Sequence, residues 1–536
     1  MEVSRRDLLA GLGASLASGV LASACGSGDG GDDAGATPAA AVAFAHGVAS
    51  GDPLRDRVLL WTRVTRTDGL AGPVQVVWEV STSEDFSTLA ASGVAVTAAA
   101  RDFTVKADAS GLDAGTTYWF RFIVGAAVSP LGRTRTAAAP GEGHGASFAV
   151  VSCASLAHGY FHVYRDISEL ERIDAVLHLG DYIYEYPSGA FGSVRAYDPL
   201  HQLDTLDDYR RRHAQYKSDA DLQAMHLRHP MIAIWDDHEF ANNAWVGGAE
   251  NQHPSDGPWA TRKAAAMQAY FEWMPVREQP GGRIWRSFSF GDVADLMMLD
   301  TRIWARPQQA DGDGPELRDP HRSLLGDVQE QWLYQTLGAS QARWKLVGQQ
   351  IRLGRLASKF NTDSWDGYPA ARDRLLGAIT SMGVEGVAVL SGDIHSSWAF
   401  DLPRDPFDAS AYDPATGRGS AAVELIVPGV TAPGAPIDAE ANVPGLYASN
   451  PHLRYADTSL RGFVLLRCQH DHLDASWFHL ADGSVEQAAR QRTSRTVTLS
   501  VRSGSAHLVT VPHRDLPPLG STCDLPPRPV GEHPRP

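Results

Sequence analysis

The stretch DAVLHLGDYIYEY, Asp174 to Tyr186, begins as a strand and ends as something else. Ala175-Val176-Leu177 has no polar break, the pattern of a strand buried on both faces of a sheet. The run then delivers Gly180, the carboxylate of Asp181 and the phenols of Tyr182, Tyr184 and Tyr186 where a plain turn would do. A carboxylate and a phenol at the carboxyl end of a core strand stand where α/β sheets gather their binding groups.

The same grammar recurs from Ser147 onward. Apolar strands at 148–152, 231–235, 296–299, 345–347 and 387–390 alternate with helical segments such as 206–216, which predicts an α/β domain over 147–512. Strand 148–152 delivers Cys153, strand 231–235 runs into Asp236-Asp237-His238-Glu239, and strand 387–390 into Ser391-Gly392-Asp393-Ile394-His395. Singly, Cys153 fits a core, Asp181 a helix cap, Asp236-Asp237 a solvated turn and His395 a buried histidine. Four coincidences of residue type at strand ends favour one shared site.

Between 42 and 140 the pattern changes to short alternating strands, with Val58–Val64 and Val74–Val80 the clearest. Leu112, Gly115, Thr116 and Tyr118, followed by alternating aromatics, resemble an immunoglobulin or fibronectin type III strand with its corner tyrosine. This unit is expected to be an all-β sandwich without chemistry of its own, joined by a linker at 136–146. At 536 residues the chain has room for both units, and 43% hydrophobic with 21% charged residues fits a globular protein. A formal charge of −16 speaks against a nucleic-acid surface and requires local cations if the substrate is an anion.

The first residues read as an address. Arg5-Arg6 before a weakly apolar run to Ala24 matches a twin-arginine export signal over 1–25. Leu21-Ala22-Ser23-Ala24-Cys25 is either a lipoprotein box with Cys25 acylated or an Ala-x-Ala cleavage site. Residues 26–41 are a Gly/Asp/Ala-rich tether and 513–536 a Pro-rich tail. The expected location is outside the cytoplasm: periplasmic, at the cell surface as a lipoprotein, or secreted. Membrane contact is expected only through the signal or a lipid anchor, and the only macromolecular partner expected is the export machinery, with the chain monomeric. Cys468 is expected to be buried, with Cys523 as a conceivable disulfide partner.

Gly180-Asp181-x-x-Tyr184, Asp237-His238-Glu239 and Gly392-Asp393-Ile394-His395, with Ser152-Cys153-Ala154-Ser155, together resemble the alkaline phosphatase D family of metallophosphoesterases, itself similar to purple acid phosphatases. The resemblance covers roughly 43–510. It implies an exported hydrolase of phosphomonoesters or phosphodiesters, acting through a metal-activated hydroxide or oxide. Phospholipase D-like or teichoic-acid-type diester cleavage is the alternative within enzymes. A surface-anchored binding protein with a structural metal domain is the alternative outside them.

Donor types point to the metals. The Cys153 thiolate, Asp181 carboxylate, Tyr184 phenolate and His395 imidazole suit Fe³⁺. Asp237, Asp393 and Gln349 or Gln350, with Gln350 preferred, offer hard oxygen donors that suit Ca²⁺. Counting Cys153, Asp181, Tyr184, Asp237 and Asp393 as anions, Fe³⁺ and one Ca²⁺ cancel the charge. A second Ca²⁺, which the resemblance implies, leaves the centre positive, with Asp236, Asn242 and Asn243 as further ligand candidates. Asp181 is expected to bridge the metals. His238 is expected to stabilise charge or protonate the leaving alkoxide.

Overall fold

The computed structural model describes residues 41–142, 145–312, 314–358, 361–434 and 445–512. The signal and most of the tether, Cys25, and the Pro-rich tail with Cys523 lie outside these residues.

Two mixed sheets carry the α/β part. In the first, strands Ala146–Val151, Ala175–His178 and Met231–Ala233 run parallel, and Gly462–Cys468, His472–His479 and Ser494–Arg502 continue it antiparallel. In the second, Ala294–Met298, Trp344–Gly348, Val387–Ser391 and Ser420–Ile426 run parallel. Side chains of the second sheet alternate between two cores, as a pleated strand demands. Leu296, Leu346, Ala388 and Leu390 pack with Phe148, Val150 and Leu177 of the first sheet. Met297, Val347, Val387 and Val389 pack with Leu333, Leu337, Leu375 and Leu376 of helices Gly326–Ala339 and Pro369–Ser381. The sheets therefore lie face to face, with these helices on the outer face of the second. Helices His162–Ser168, Leu206–Lys217 and Ala220–Arg228 contribute Val163, Tyr209, Leu222 and Met225 to the core of the first sheet.

The N-terminal strands do not stand apart. Val48–Gly51, Arg57–Arg63 and Thr104–Ser110 extend the first sheet beyond Met231–Ala233 to ten strands. Gly51 faces Met231 so closely that a Cβ there would lie 2.0 Å from the Pro275 carbonyl oxygen, which only glycine avoids. A separate sheet built on Val74–Ser81, Leu89–Thr97, Thr117–Val124 and Gly132–Arg135 covers these strands through Val58, Leu60, Val76, Val105, Phe120 and Phe122. Tyr118 is buried, and its hydroxyl accepts a 2.8 Å bond from Asp113 N. The buried Arg286 fixes the junction, donating to both Asp52 oxygens at 2.6 and 3.0 Å and to Ala233 O at 2.9 Å.

Trp235, Trp365 and Trp398 are core residues. The basic run on the helix at 206 divides its labour. Arg210 pairs with Glu272 at 2.7 Å, whereas buried Arg212 donates to the carbonyls of Pro199, Tyr184 and Tyr186. Arg212 is thus a buttress for the segment that carries Tyr184 rather than part of a solvated face.

Candidate metal centre

Strands Ala146–Val151, Ala175–His178, Met231–Ala233 and Val387–Ser391 lead into Cys153, Asp181, Asp236–Asp237 and Asp393, which gather at one rim. Glycines make the crowding possible: a Cβ on Gly180 would sit 2.4 Å from Asp236 Cβ, and one on Gly392 would sit 2.8 Å from Ser152 Oγ. Cys153, Asp181, Asp393 and His395 hold φ of 59°, 56°, 66° and 55°. Such left-handed positions cost non-glycine residues on the order of 1–3 kcal/mol each and persist where the surroundings enforce them.

Three groups of potential ligands form there: Cys153, Asp181 and His395; Asp181, Asp237 and His238; and Asp236, Asp237 and Asp393. Within each group the donor atoms lie within 4.8 Å of one another. Asp181 belongs to the first two groups and Asp237 to the last two, so the three are one continuous centre. Tyr184 joins the first group, its hydroxyl donating to Asp181 Oδ2 at 3.1 Å and lying 3.1 Å from His395 Nε2. His395 Nδ1 is turned to Pro433 O at 2.9 Å, which leaves Nε2 for the centre.

The donor set fits metal ions. Burial, then the neighbouring Asp181, holds the Cys153 thiol and Tyr184 phenol well above their ordinary pKa values. Burial likewise raises Asp236 and Asp237, and pushes Asp393 up to about 7. Asp236 Oδ2 is buried without a hydrogen-bond partner. A pocket that crowds acids together and leaves a carboxylate oxygen unsatisfied is short of cations.

His238 lies beside this centre with its ring 4.3 Å from that of Tyr184. Its Nδ1 is 2.7 Å from Glu185 Oε2, and Glu185 is held by Asn242 N at 2.7 Å and Asn251 Nδ2 at 2.6 Å. Burial alone would lower the His238 pKa, but Asp237 and Glu185 raise it well above the ordinary value.

The amide side chains among the predicted ligands make other contacts. Gln350 accepts from Thr301 N at 3.1 Å and from Thr301 Oγ1, and donates to Trp235 O and Leu299 O at 2.7 and 2.9 Å. Its carboxamide is spent tying strand ends together. Gln349 is spent the same way, on Ile351 O, Ser391 Oγ and Trp365 Nε1. Asn242 offers Glu185 its backbone N–H and points its amide nitrogen at Glu250, 3.1 Å away. Asn243 N, rather than its side chain, meets the centre, donating to Asp237 Oδ2 at 2.6 Å.

The structure adds Glu239, Arg302, Asp363 and Arg306. Glu239 accepts from Asp181 N, Tyr182 N and Asp236 N at 3.0, 2.7 and 2.8 Å, clamping two ligand-bearing turns. Arg302, wholly buried, donates from Nε to Asp236 at 2.5 Å and from Nη2 to Asp393 at 2.6 Å. Its Nη1 meets both oxygens of Asp363 at 2.9 and 2.8 Å. Arg302 follows the strand Ala294–Met298 as the ligands follow theirs, so the strand-end rule points to it once cations are sought as well as donors. Asp236 and Asp363 add two negative charges to the earlier count, and Arg302 with Arg306, which also binds Asp363, adds two positive ones. The balance against the metals is unchanged.

Two facing mixed sheets bring carboxylates, a thiol, a phenol and imidazoles together at one strand-end rim, a donor set able to hold metal ions. Residues 148–477 match the PhoD-like phosphatase profile and residues 31–138 that of the PhoD-like phosphatase, N-terminal domain. The chain is 39% identical over 452 residues to alkaline phosphatase D of Bacillus subtilis (strain 168), covering 79% of this chain and 75% of that protein. The solved structure of PhoD superimposes with a TM-score of 0.80 at 35% identity, covering 88% of this chain and 92% of the other. A purple acid phosphatase from yellow lupin (Lupinus luteus) seeds shares the fold, with a TM-score of 0.56 at 14% identity over 86% of this chain and 74% of the other. The protein belongs to the PhoD-like phosphatase family. It is a metal-dependent phosphoesterase, a hydrolase of phosphoric ester bonds, which sets aside the binding-protein alternative.

Proposed function

We propose that this protein is an exported phosphatase and phosphodiesterase whose centre takes Fe³⁺ and Ca²⁺. The observation that carries the metal assignment is the pairing of two unlike donor sets through Asp181: Cys153, Tyr184 and His395 on one side, Asp237 with Asp236 and Asp393 on the other. Thiolate and phenolate suit Fe³⁺, and an all-carboxylate set suits Ca²⁺. Two calcium ions beside one iron would give the pocket the positive charge that a phosphate dianion requires.

When bound, these ions supply charge neutralisation of the phosphoryl oxygens and activation of water. The protein's own groups do the rest. Asp181 holds the two donor sets in register. Glu185 holds His238 Nδ1 at 2.7 Å, so that a protonated ring presents Nε2–H to the leaving oxygen or to developing negative charge. The aromatic rings of Tyr184 and Tyr186, 4.3 and 5.2 Å from that of His238, limit its rotation and its solvation.

Alkaline phosphatase D, the name of the Bacillus relative, supports phosphomonoester hydrolysis at alkaline pH, and diesters are the second substrate class. Arg5-Arg6 ahead of a weak apolar run supports export by the twin-arginine route. Among the described residues no helix is long and apolar enough to cross a membrane; membrane contact is through the signal segment or an acylated Cys25. The Asp113–Tyr118 bond supports an immunoglobulin-like sandwich over 42–140, ahead of a catalytic domain over 147–512. The test is elemental analysis of the purified protein together with a panel of mono- and diesters. Zinc in place of iron, or activity undiminished after calcium removal, refutes the metal assignment. A panel hydrolysed only as diesters removes the phosphomonoesterase activity.

A further inference from the structure

The Asp236–Asp237–Asp393 cluster already contains a cation of its own. The Arg302 guanidinium donates to Asp236, Asp393 and Asp363, and its Nη2 lies 3.5 Å from Asp237 Oδ1. No part of it reaches solvent. The turn that presents it is fixed on every side. Asp300 Oδ1 accepts from Arg302 N and Ile303 N, both at 2.9 Å. Gln329 Oε1 holds Asp300 N at 2.8 Å, and Gln350 Oε1 holds Thr301 N. Such a mount does not let the side chain swing out into water. Beyond it, Arg306 and Gln309 hold Asp363 from the far side.

From this geometry we propose that Arg302 is an internal counter-ion that competes with the calcium-type metal for the same carboxylates. It keeps the metal-free centre assembled and holds the affinity for the divalent cation down, making uptake reversible. Four carboxylates, those of Asp236, Asp237 and Asp363 buried and that of Asp393 partly so, would without a cation repel one another and lose much of their hydration. One guanidinium reaching three of them, and lying close to the fourth, relieves this while leaving Asp236 Oδ2 unpartnered for an arriving ion. A divalent cation that settles on Asp237 and Asp393 then meets a fixed positive charge within hydrogen-bonding distance of its ligands. Arg302 is a positioning residue with an electrostatic cost to its metal.

The inference rests on the metal-centre reading, and the experiment separates the two. Full-length protein and the variants Arg302→Met and Arg302→Lys are stripped with a chelator, then titrated with calcium chloride by calorimetry and followed by thermal unfolding with and without calcium. Arg302→Met is expected to melt lower than wild type when calcium-free, to show a larger calcium-induced rise in Tm, and to bind calcium at least about tenfold tighter, as expected for removing one nearby charge at an effective dielectric of about 20. A merely structural role predicts loss of stability without tighter binding. Arg302→Lys, which keeps the charge but not the fork, is expected to fold and to fall between the two. Calcium binding that is equal or weaker in both variants overturns the counter-ion role. Wild-type protein that takes up no calcium overturns the metal-centre reading itself.

Discussion

Glu239 is the residue whose removal should do most damage for least change in volume. Its Oε2 accepts from Asp181 N and Asp236 N and its Oε1 from Tyr182 N, and the whole side chain is buried. In Glu239→Gln the amide oxygen can take the place of Oε2 and keep two of these bonds. The amide nitrogen then faces Tyr182 N, a donor against a donor, and one buried N–H is left unmet at a cost of about 1–3 kcal/mol. Glu239→Ala abandons all three, for about 3–9 kcal/mol by the same measure, against a total stability of about 5–15 kcal/mol for a typical domain. We therefore predict that the Gln variant folds with a lower urea midpoint and that the Ala variant accumulates poorly or not at all. Because the bonds fix the turns bearing Asp181 and Asp236, the Gln variant should also retain less metal per chain than wild type, measured by elemental analysis after gel filtration. A Gln variant with an unchanged midpoint and full metal content would show that the clamp does not position the centre.

Three further outcomes are expected. Iron-loaded protein should absorb in the visible range through the Tyr184 phenolate or Cys153 thiolate, and Tyr184→Phe should shift or weaken the band; a colourless iron-replete protein removes Tyr184 and Cys153 from the iron. A calcium-selective chelator should abolish activity while most iron stays bound, since oxygen-only sites are the weaker ones; full activity after calcium removal rules out a calcium site at Asp237 and Asp393. His238→Ala should lower turnover of alkyl phosphates by about 10²–10⁴-fold and of aryl esters far less, with metal content unchanged; equal losses make His238 a charge stabiliser, and loss of metal makes it a ligand.

What the sequence made legible was the ends of strands. Asp181, Asp237, Asp393 and His395 could be singled out because several apolar runs each lead into a charged or metal-binding residue, a coincidence that no one of them carries alone, and the structure gathers them. Side-chain direction was not legible. Gln350 stands at a strand end like the others, yet an amide serves backbone groups as well as it serves a metal, and the carbonyls of Trp235 and Leu299 claim it. Asn242 turns its backbone N–H to Glu185 and its amide nitrogen to Glu250, whose nearness depends on how the 185–250 region folds back. Arg302 stands at a strand end, but Asp363, which it meets across 61 positions, follows no strand and has no local pattern to announce it. The unit at 42–140 was legible as β structure, but its fusion with the catalytic sheet hangs on Gly51 meeting Met231, a pairing 180 residues apart that periodicity cannot see.

That fusion changes what the N-terminal unit is for. Strand Met231–Ala233 is three residues long and leads directly to Asp236, Asp237 and His238. Without Val48–Gly51 beside it, its outer N–H and C=O groups would form a bare sheet margin, the kind that other chains add to and that seeds aggregation. Arg286 would also lose Asp52 and keep a charge in the interior. The N-terminal strands thus seal a strand made much later, and a chain trimmed to the α/β part alone should fail by sticking to itself before it fails as a catalyst.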